Sequence, residues 1–144
     1  MGPHAVAHNV QWYRPHRYLW APTKACPHAT AIAVVEDIDY PHAIGAYWGE
    51  VNTTIHKAFG LGGALTNGVM RDLGDLPTGF PVVAGSIGPS HGFVHVRSVG
   101  QPVTIFGMHV VDGDLVHADR HGALVIPPEA VSYTHLTLPT TPYV

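Results

Sequence analysis

Cysteine is almost missing from this chain of 144 residues. Cys26 stands alone, which excludes an internal disulfide framework and a cysteine-built zinc site. Charge is scarce too: Asp, Glu, Lys and Arg make up 12% of the residues, about half the usual share. Much of the surface is therefore expected to be covered by other subunits or by segments that lie outside this chain. With 7 Lys and Arg against 10 Asp and Glu, a formal charge of -3 and no basic block, the chain lacks the footprint of a nucleic-acid binder. No apolar run approaches the roughly 20 residues of a membrane span, and the opening MGPHAVAHNVQWYRPHR has no apolar secretory core. A soluble protein of a reducing, cytoplasmic compartment fits these absences, and 46% hydrophobic residues suffice for one domain core.

Both ends depart from the body. The tail VSYTHLTLPTTPYV, Val131 to Val144, is rich in Thr and Pro where the body is rich in Val, Gly and His. Back-translated as GTC-TCT-TAT-ACA-CAT-CTG-ACG-CTG-CCG-ACG, Val131 to Thr140 reproduces the end of a transposase-based sequencing adapter. Residues 131–144 are therefore expected to be translated adapter, with one domain over 1–130. At the other end GPHAVAHNV reads as a strand with nothing to introduce it, as in an internal fragment of a longer domain.

Between the ends the period alternates. TAIAVVEDID, Thr30 to Asp39, is a short Val/Ile run closing in acids, as a buried strand does. In YWGEVNTTIHKAFG the period changes: Val51, Ile55, Ala58 and Phe59 fall on one helical face, with Gly60 placed as the cap. GGALTNG predicts a second strand, LGDLP a short turn of helix, and FPVVAGS, Phe80 to Ser86, a third strand. Strand, helix and strand in this order make a crossover between parallel strands. After Ser86 come short strands and turn residues at Gly107, Asp112-Gly113 and His121-Gly122, which predict an antiparallel layer.

The chemistry collects around GGALTNGVMRD. A helix starting near Gly49 offers unpaired first-turn N–H groups to an anion, and a glycine there lets a ligand approach. The crossover returns the chain so that residues after the second strand emerge beside that helix start. Arg71 and Asp72 are thereby placed near Gly49, Glu50, Val51 and Asn52. Arg71 suits a carboxylate held in a fork, and Asp72 a hard divalent cation. On spacing alone, a surface Arg-Asp pair beside an ordinary helix start is the simpler account.

Elsewhere the plainer account also prevails. His91, His95, His117 and His121 have strand-like spacing that would allow a transition-metal site if they converged, but exposed or packing histidines explain them as well. Trp48 reads as a packing anchor. Asp112 to Leu115 reads as a turn opening a strand. Glu36, Asp37 and Asp39 read as solvated or loop-capping acids at a strand end, with support of a metal site as the sharper option.

The strings WGEVN, GALTNGVMRD, FPVVAGS and PVTIFGMHVVDGDLVHADRHGALVIP, taken in order, resemble the RraA-like family from about Thr30 to Pro127. A fainter likeness lies at GPHAVAH. The family contains the regulator of ribonuclease E activity A and the divalent-metal 4-hydroxy-4-methyl-2-oxoglutarate/4-carboxy-4-hydroxy-2-oxoadipate aldolases. The resemblance implies an α/β fold, a swivelling β/β/α sandwich, assembled as homotrimers or hexamers with sites at subunit boundaries. In the aldolases a G-D/E-x-x segment at a helix start binds the pyruvyl carboxylate, and Gly49, Glu50, Val51 and Asn52 match it. The Arg that contacts the keto acid matches Arg71, and the metal-ligating Asp matches Asp72. The resemblance thus implies a lyase of the class II pyruvate-aldolase type that uses Mg2+, or Mn2+, to cleave a 4-hydroxy-2-oxo acid into pyruvate and a second keto acid. Arg71 and Glu50 carry the catalytic roles, Glu50 as acid/base where many family aldolases have Asp. An acid that a neighbouring subunit supplies in the aldolases has no match in this chain. The other family function, a non-catalytic regulator that binds a partner enzyme such as ribonuclease E, is the alternative.

Overall fold

The computed structural model describes residues 6–11, as strand path, and 30–130. The expected tail from Val131 to Val144 lies outside the described residues. The predicted first strand is β1, Val6–Gln11, and TAIAVVEDID supplies β2, Ala33–Asp37. The chain continues through β3 (Ala46–Trp48), α1 (Glu50–Ala58), β4 (Ala64–Thr66), β5 (Val69–Met70), β6 (Val82–Val83) and β7 (Ser86–Ile87). Then come β8 (Val94–Val99), β9 (Val103–Ile105), β10 (Met108–Val110), β11 (Leu115–Asp119) and β12 (Gly122–Ile126).

One sheet has the order β6-β4-β2-β1-β8 and a second the order β3-β5-β7, while β9–β10 and β11–β12 are antiparallel hairpins. The strands β2, β4 and β6 run parallel, with Ala33 opposite Ala64 and Ala64 opposite Val82. β3, β5 and β7 are parallel as well, with Ala46 opposite Val69 and Val69 opposite Ser86. The chain therefore passes from the first sheet to the second repeatedly, at β2–β3, β4–β5 and β6–β7. This is an α/β sandwich of the β/β/α kind, with a parallel βαβ part and an antiparallel layer.

Alternation along β2 explains why its sequence reads as an unbroken apolar run. Ala33 and Val35 enter one core cluster with Trp48, Leu61, Ala64, Met70 and Phe80. Val34 enters the other with Leu65, Val103, Ile105 and Val110. A strand covered on both faces has no polar side to display. Among the described helices none is long and apolar enough to cross a membrane.

The predicted third strand is two strands, because Phe80 to Ser86 crosses between sheets: Val82 and Val83 pair with β4, and Ser86 and Ile87 with β5. LGDLP is not helical. Its residues form turns closed by Asp75 N–H to Asp72 O at 3.0 Å, since four residues ahead of a proline cannot sustain a helical ladder. Nor is everything after Ser86 antiparallel, because β8 pairs parallel to β1.

Helix α1 ends as the sequence predicts. Gly60 takes φ +86, with Gly60 N–H bonded to Lys57 O at 2.9 Å and Leu61 N–H to His56 O at 3.1 Å, a Schellman closure. Its inward face is not the apolar stripe. Thr53 and His56 are buried, whereas Val51, Ile55 and Phe59 are 60%, 44% and 63% exposed. The polar side chains face inward because each has backbone acceptors there. Thr53 Oγ1 donates to Gly49 O at 2.8 Å, and the His56 ring nitrogen Nδ1 lies 2.6 Å from Asn52 O.

Candidate functional site

The corner begins with the pairing of β3 and β5. Trp48 stands opposite Met70, and Arg71 N–H donates to Trp48 O at 2.9 Å. This sets Arg71 and Asp72 beside the start of α1. The strand that delivers them is thus β5 against β3, in the second sheet, rather than β4, the strand from which the spacing placed them. Gly49, Glu50, Arg71 and Asp72 come together all the same.

Asp72 closes the helix N-terminus from across the chain, its Oδ2 accepting the Glu50 N–H at 3.1 Å and the Arg71 Nε–H at 3.0 Å. It adopts φ +58 to do so, a region that favours Gly, Asn and Asp. The Glu50 amide first, and then Arg71, hold the Asp72 carboxyl below its ordinary range, so Asp72 is a carboxylate at neutral pH. Arg71 also donates from Nη1 to Ala46 O at 3.3 Å. Its remaining N–H groups have no partner among the described residues.

Gly49 is required here for a reason other than the one its position suggested. A Cβ on it would lie 2.6 Å from Asp72 Oδ2 and 2.9 Å from Arg71 Nε. The space a glycine leaves is filled by the chain's own Arg-Asp pair. Beyond it, the helical ladder starts with Thr53 N–H to Gly49 O at 3.0 Å, which places the Val51 and Asn52 amides at the positive end of α1. The side chains of these two residues stay out of the corner's bonding. Val51 is exposed, and Asn52 Nδ2 donates to Tyr47 O at 2.6 Å.

Two side chains support the corner: Trp48, expected as a packing anchor, and His56, which escaped the sequence reading. Trp48, fully buried, lies 4.7 Å from the His56 ring between centroids and 6.3 Å from Phe80. His56 in turn bonds Asn52 O in the first turn of α1. The signal was present: Thr53 and His56 share the helical side away from the apolar stripe. Burial pushes the His56 pKa down, with the Asn52 carbonyl as the smaller, opposing influence. Folded chains therefore refuse a proton that unfolded chains accept, and the His56 contribution, full above about pH 6.5, declines as pH falls below that value. Thermal melts should lose midpoint between pH 7 and pH 5, and His56→Gln should flatten that loss; an equal slope in the variant would assign it to other histidines.

The other candidates disperse. Among the described residues no group of three or more His, Cys, Asp or Glu can hold a metal. His117 and His121 lie 3.9 Å and 3.2 Å from Asp119 Oδ2, and His91 bonds Gly92 O; His95 lies on β8, in a different sheet from β11. Glu36 Oε2 accepts the Thr104 N–H at 2.8 Å, tying β9 to β2. Asp37 is buried rather than solvated. Its backbone N–H donates to Asn67 Oδ1 at 2.7 Å, its Oδ1 accepts the Asp39 N–H at 3.0 Å, and burial raises its pKa. Asp112 and Gly113 form the turn before β11.

A family model described as RraA-like, Aldolase/RraA, matches residues 16–125. No curated protein matches the chain. Among solved structures, the crystal structure of an uncharacterized protein from Pseudomonas syringae pv. tomato str. DC3000 is similar with a TM-score of 0.63 at 20% identity. The alignment covers 92% of this chain and 64% of that one, so this chain spans somewhat under two thirds of its neighbour's length. At that identity the likeness concerns the fold.

Proposed function

The chain belongs to the RraA-like family, and from that premise we propose that it is a divalent-metal-dependent lyase of the class II pyruvate-aldolase type, cleaving a 4-hydroxy-2-oxo acid to pyruvate and a second keto acid. The observation that carries this reading is the corner itself: an arginine with donors to spare, an ionised aspartate and the positive end of α1, all within one set of hydrogen bonds.

Asp72 fits a hard cation. Its Oδ2 is engaged, whereas Oδ1 has no partner among the described residues, on a side chain 34% exposed. A single protein carboxylate suits Mg2+, or Mn2+, which keeps water and substrate oxygens in its other positions. When bound, such an ion supplies Lewis acidity at the keto oxygen, where negative charge collects as the carbon–carbon bond breaks.

The remaining work falls to the chain's own groups. Arg71 grips the pyruvyl carboxylate with its free N–H groups, and the Val51 and Asn52 amides complete the anion seat. Their charge is in place before the substrate arrives, so no reorganisation is needed as charge develops. Glu50, exposed at the rim of the corner, takes the proton of the 4-hydroxyl at its carboxylate and allows one to return to the pyruvyl carbon. Homotrimeric or hexameric assembly belongs to the same proposal, with a neighbouring subunit completing the site.

Pyruvate release from a panel of 4-hydroxy-2-oxo acids, dependent on Mg2+, tests the reading. Asp72→Asn should bind Mg2+ or Mn2+ at least about tenfold more weakly by calorimetry, because it removes the anionic oxygen. Unchanged metal affinity would move the ion elsewhere. The second reading, a non-catalytic regulator that binds a partner enzyme such as ribonuclease E, draws on the exposed stripe of Val51, Ile55 and Phe59 beside the corner. Keto-acid binding without turnover of any panel member would favour it.

A further inference from the structure

A second cleft, of about 670 Å3, is lined by the β6–β7 segment, the β9–β10 turn and the tip of the β11–β12 hairpin. It touches β5 at Met70 but contains neither Arg71, Asp72 nor any residue of α1. The volume falls within the range of small-molecule sites. Its lining includes the apolar Val82, Val83, Ile87 and Phe106 together with Arg120 and His121.

Two independent features say what it would take. The first is Phe106. With Gly107 it forms the two-residue loop of the β9–β10 hairpin, and both residues have positive φ, +51 and +81. Such loops favour Asn-Gly or Gly-Gly, and a bulky side chain there is strained. Asp72 is the other non-glycine residue with positive φ among those described, and it belongs to the corner. Phe106 remains 50% exposed, meeting Tyr40 edge-on at 5.7 Å between centroids. The strain thus sets an aromatic wall without filling the core.

The second feature is charge. Asp119 is committed to its own turn: its Oδ1 accepts the His121 N–H at 2.7 Å and its Oδ2 lies 3.2 Å from His121 Nδ1. Arg120, between them, has no ion pair or hydrogen bond among the described residues. A lone guanidinium offers one flat fork, which matches a carboxylate better than a phosphate that calls for several donors.

We propose that this cleft binds a small carboxylate with a flat apolar or aromatic body, its anion on Arg120 and its body against Phe106 and β6. The proposal is independent of the keto-acid reading of the Arg71–Asp72 corner.

Phenylacetate is a suitable probe, with neutral 2-phenylethanol as its counterpart, in ligand-observed NMR titrations of the full chain. Phenylacetate should bind saturably and about tenfold more tightly than 2-phenylethanol. Arg120→Gln, at an exposed turn, should weaken it about tenfold and erase that preference. Phe106→Gly should weaken both probes while leaving the melting midpoint unchanged or higher, since glycine takes φ +51 without strain. Arg71→Ala should leave phenylacetate binding intact. No saturable binding, equal affinity in Arg120→Gln or Phe106→Gly, or loss of binding in Arg71→Ala would each overturn the proposal.

Discussion

Gly85→Ala should unfold about 10 °C below the parent chain, a loss of about 3 kcal/mol. Gly85 is exposed to solvent, and the sequence offers no hint that a methyl group there is costly. The cost arises where the chain crosses between sheets. Gly85 N–H donates to Gly68 O at 2.9 Å, and a Cβ on Gly85 would collide with the Asn67 carbonyl, oxygen and carbon alike, the latter at 2.8 Å. Backbone cannot rotate away as a side-chain end can. Asn67 cannot retreat either, because its side chain bonds both the N–H and the C=O of Asp37, at 2.7 and 3.2 Å. Relief therefore requires β7 to part from β5. Gly74→Ala is the control, with nothing within 4 Å of its Cβ; it should melt at or slightly above the parent temperature. Equal midpoints for the two variants would mean that the crossing is looser than the structure has it.

Arg71→Ala should weaken pyruvate or oxalate binding by about two orders of magnitude, or about 3 kcal/mol, the worth of a charge-assisted fork. Stability should change little. Arg71 contributes no core volume, its bond to Ala46 O is long at 3.3 Å, and Asp72 keeps the Glu50 N–H without it. Arg71→Lys, which keeps the charge but not the fork, should fall between the two. Calorimetry with oxalate reads the affinity, and a melt of each variant reads the fold. Affinity unchanged in Arg71→Ala would leave the Arg71–Asp72 pair as a helix cap and nothing more.

Residue patterns by themselves determined the local elements. The Val/Ile run of β2, the period change at α1, Gly60 as its terminator and the Gly-containing turns of the hairpins all depend on neighbours a few residues apart, and all stand where they were expected. The ordered motifs also determined the family. Sequence further brought Arg71 and Asp72 towards Gly49, because parallel crossovers leave few ways to return a chain.

Only the tertiary structure decided what depends on distant partners. Phe80 to Ser86 reads as one strand, yet its two ends find partners in different sheets. The stripe of Val51, Ile55 and Phe59 reads as a core face, yet α1 turns it outward. Thr53 and His56 secure acceptors in the helix's own first turn, and Trp48 occupies the inner side. Gly49 stands out in sequence only as a place for a ligand to approach, and Gly85 looks like any other glycine there. Their necessity comes from Asp72 and Arg71 in one case and Asn67 in the other, groups brought within contact by the β3–β5 and β5–β7 registers. A register is a choice among pairings of similar local energy, and packing across the whole sandwich makes that choice.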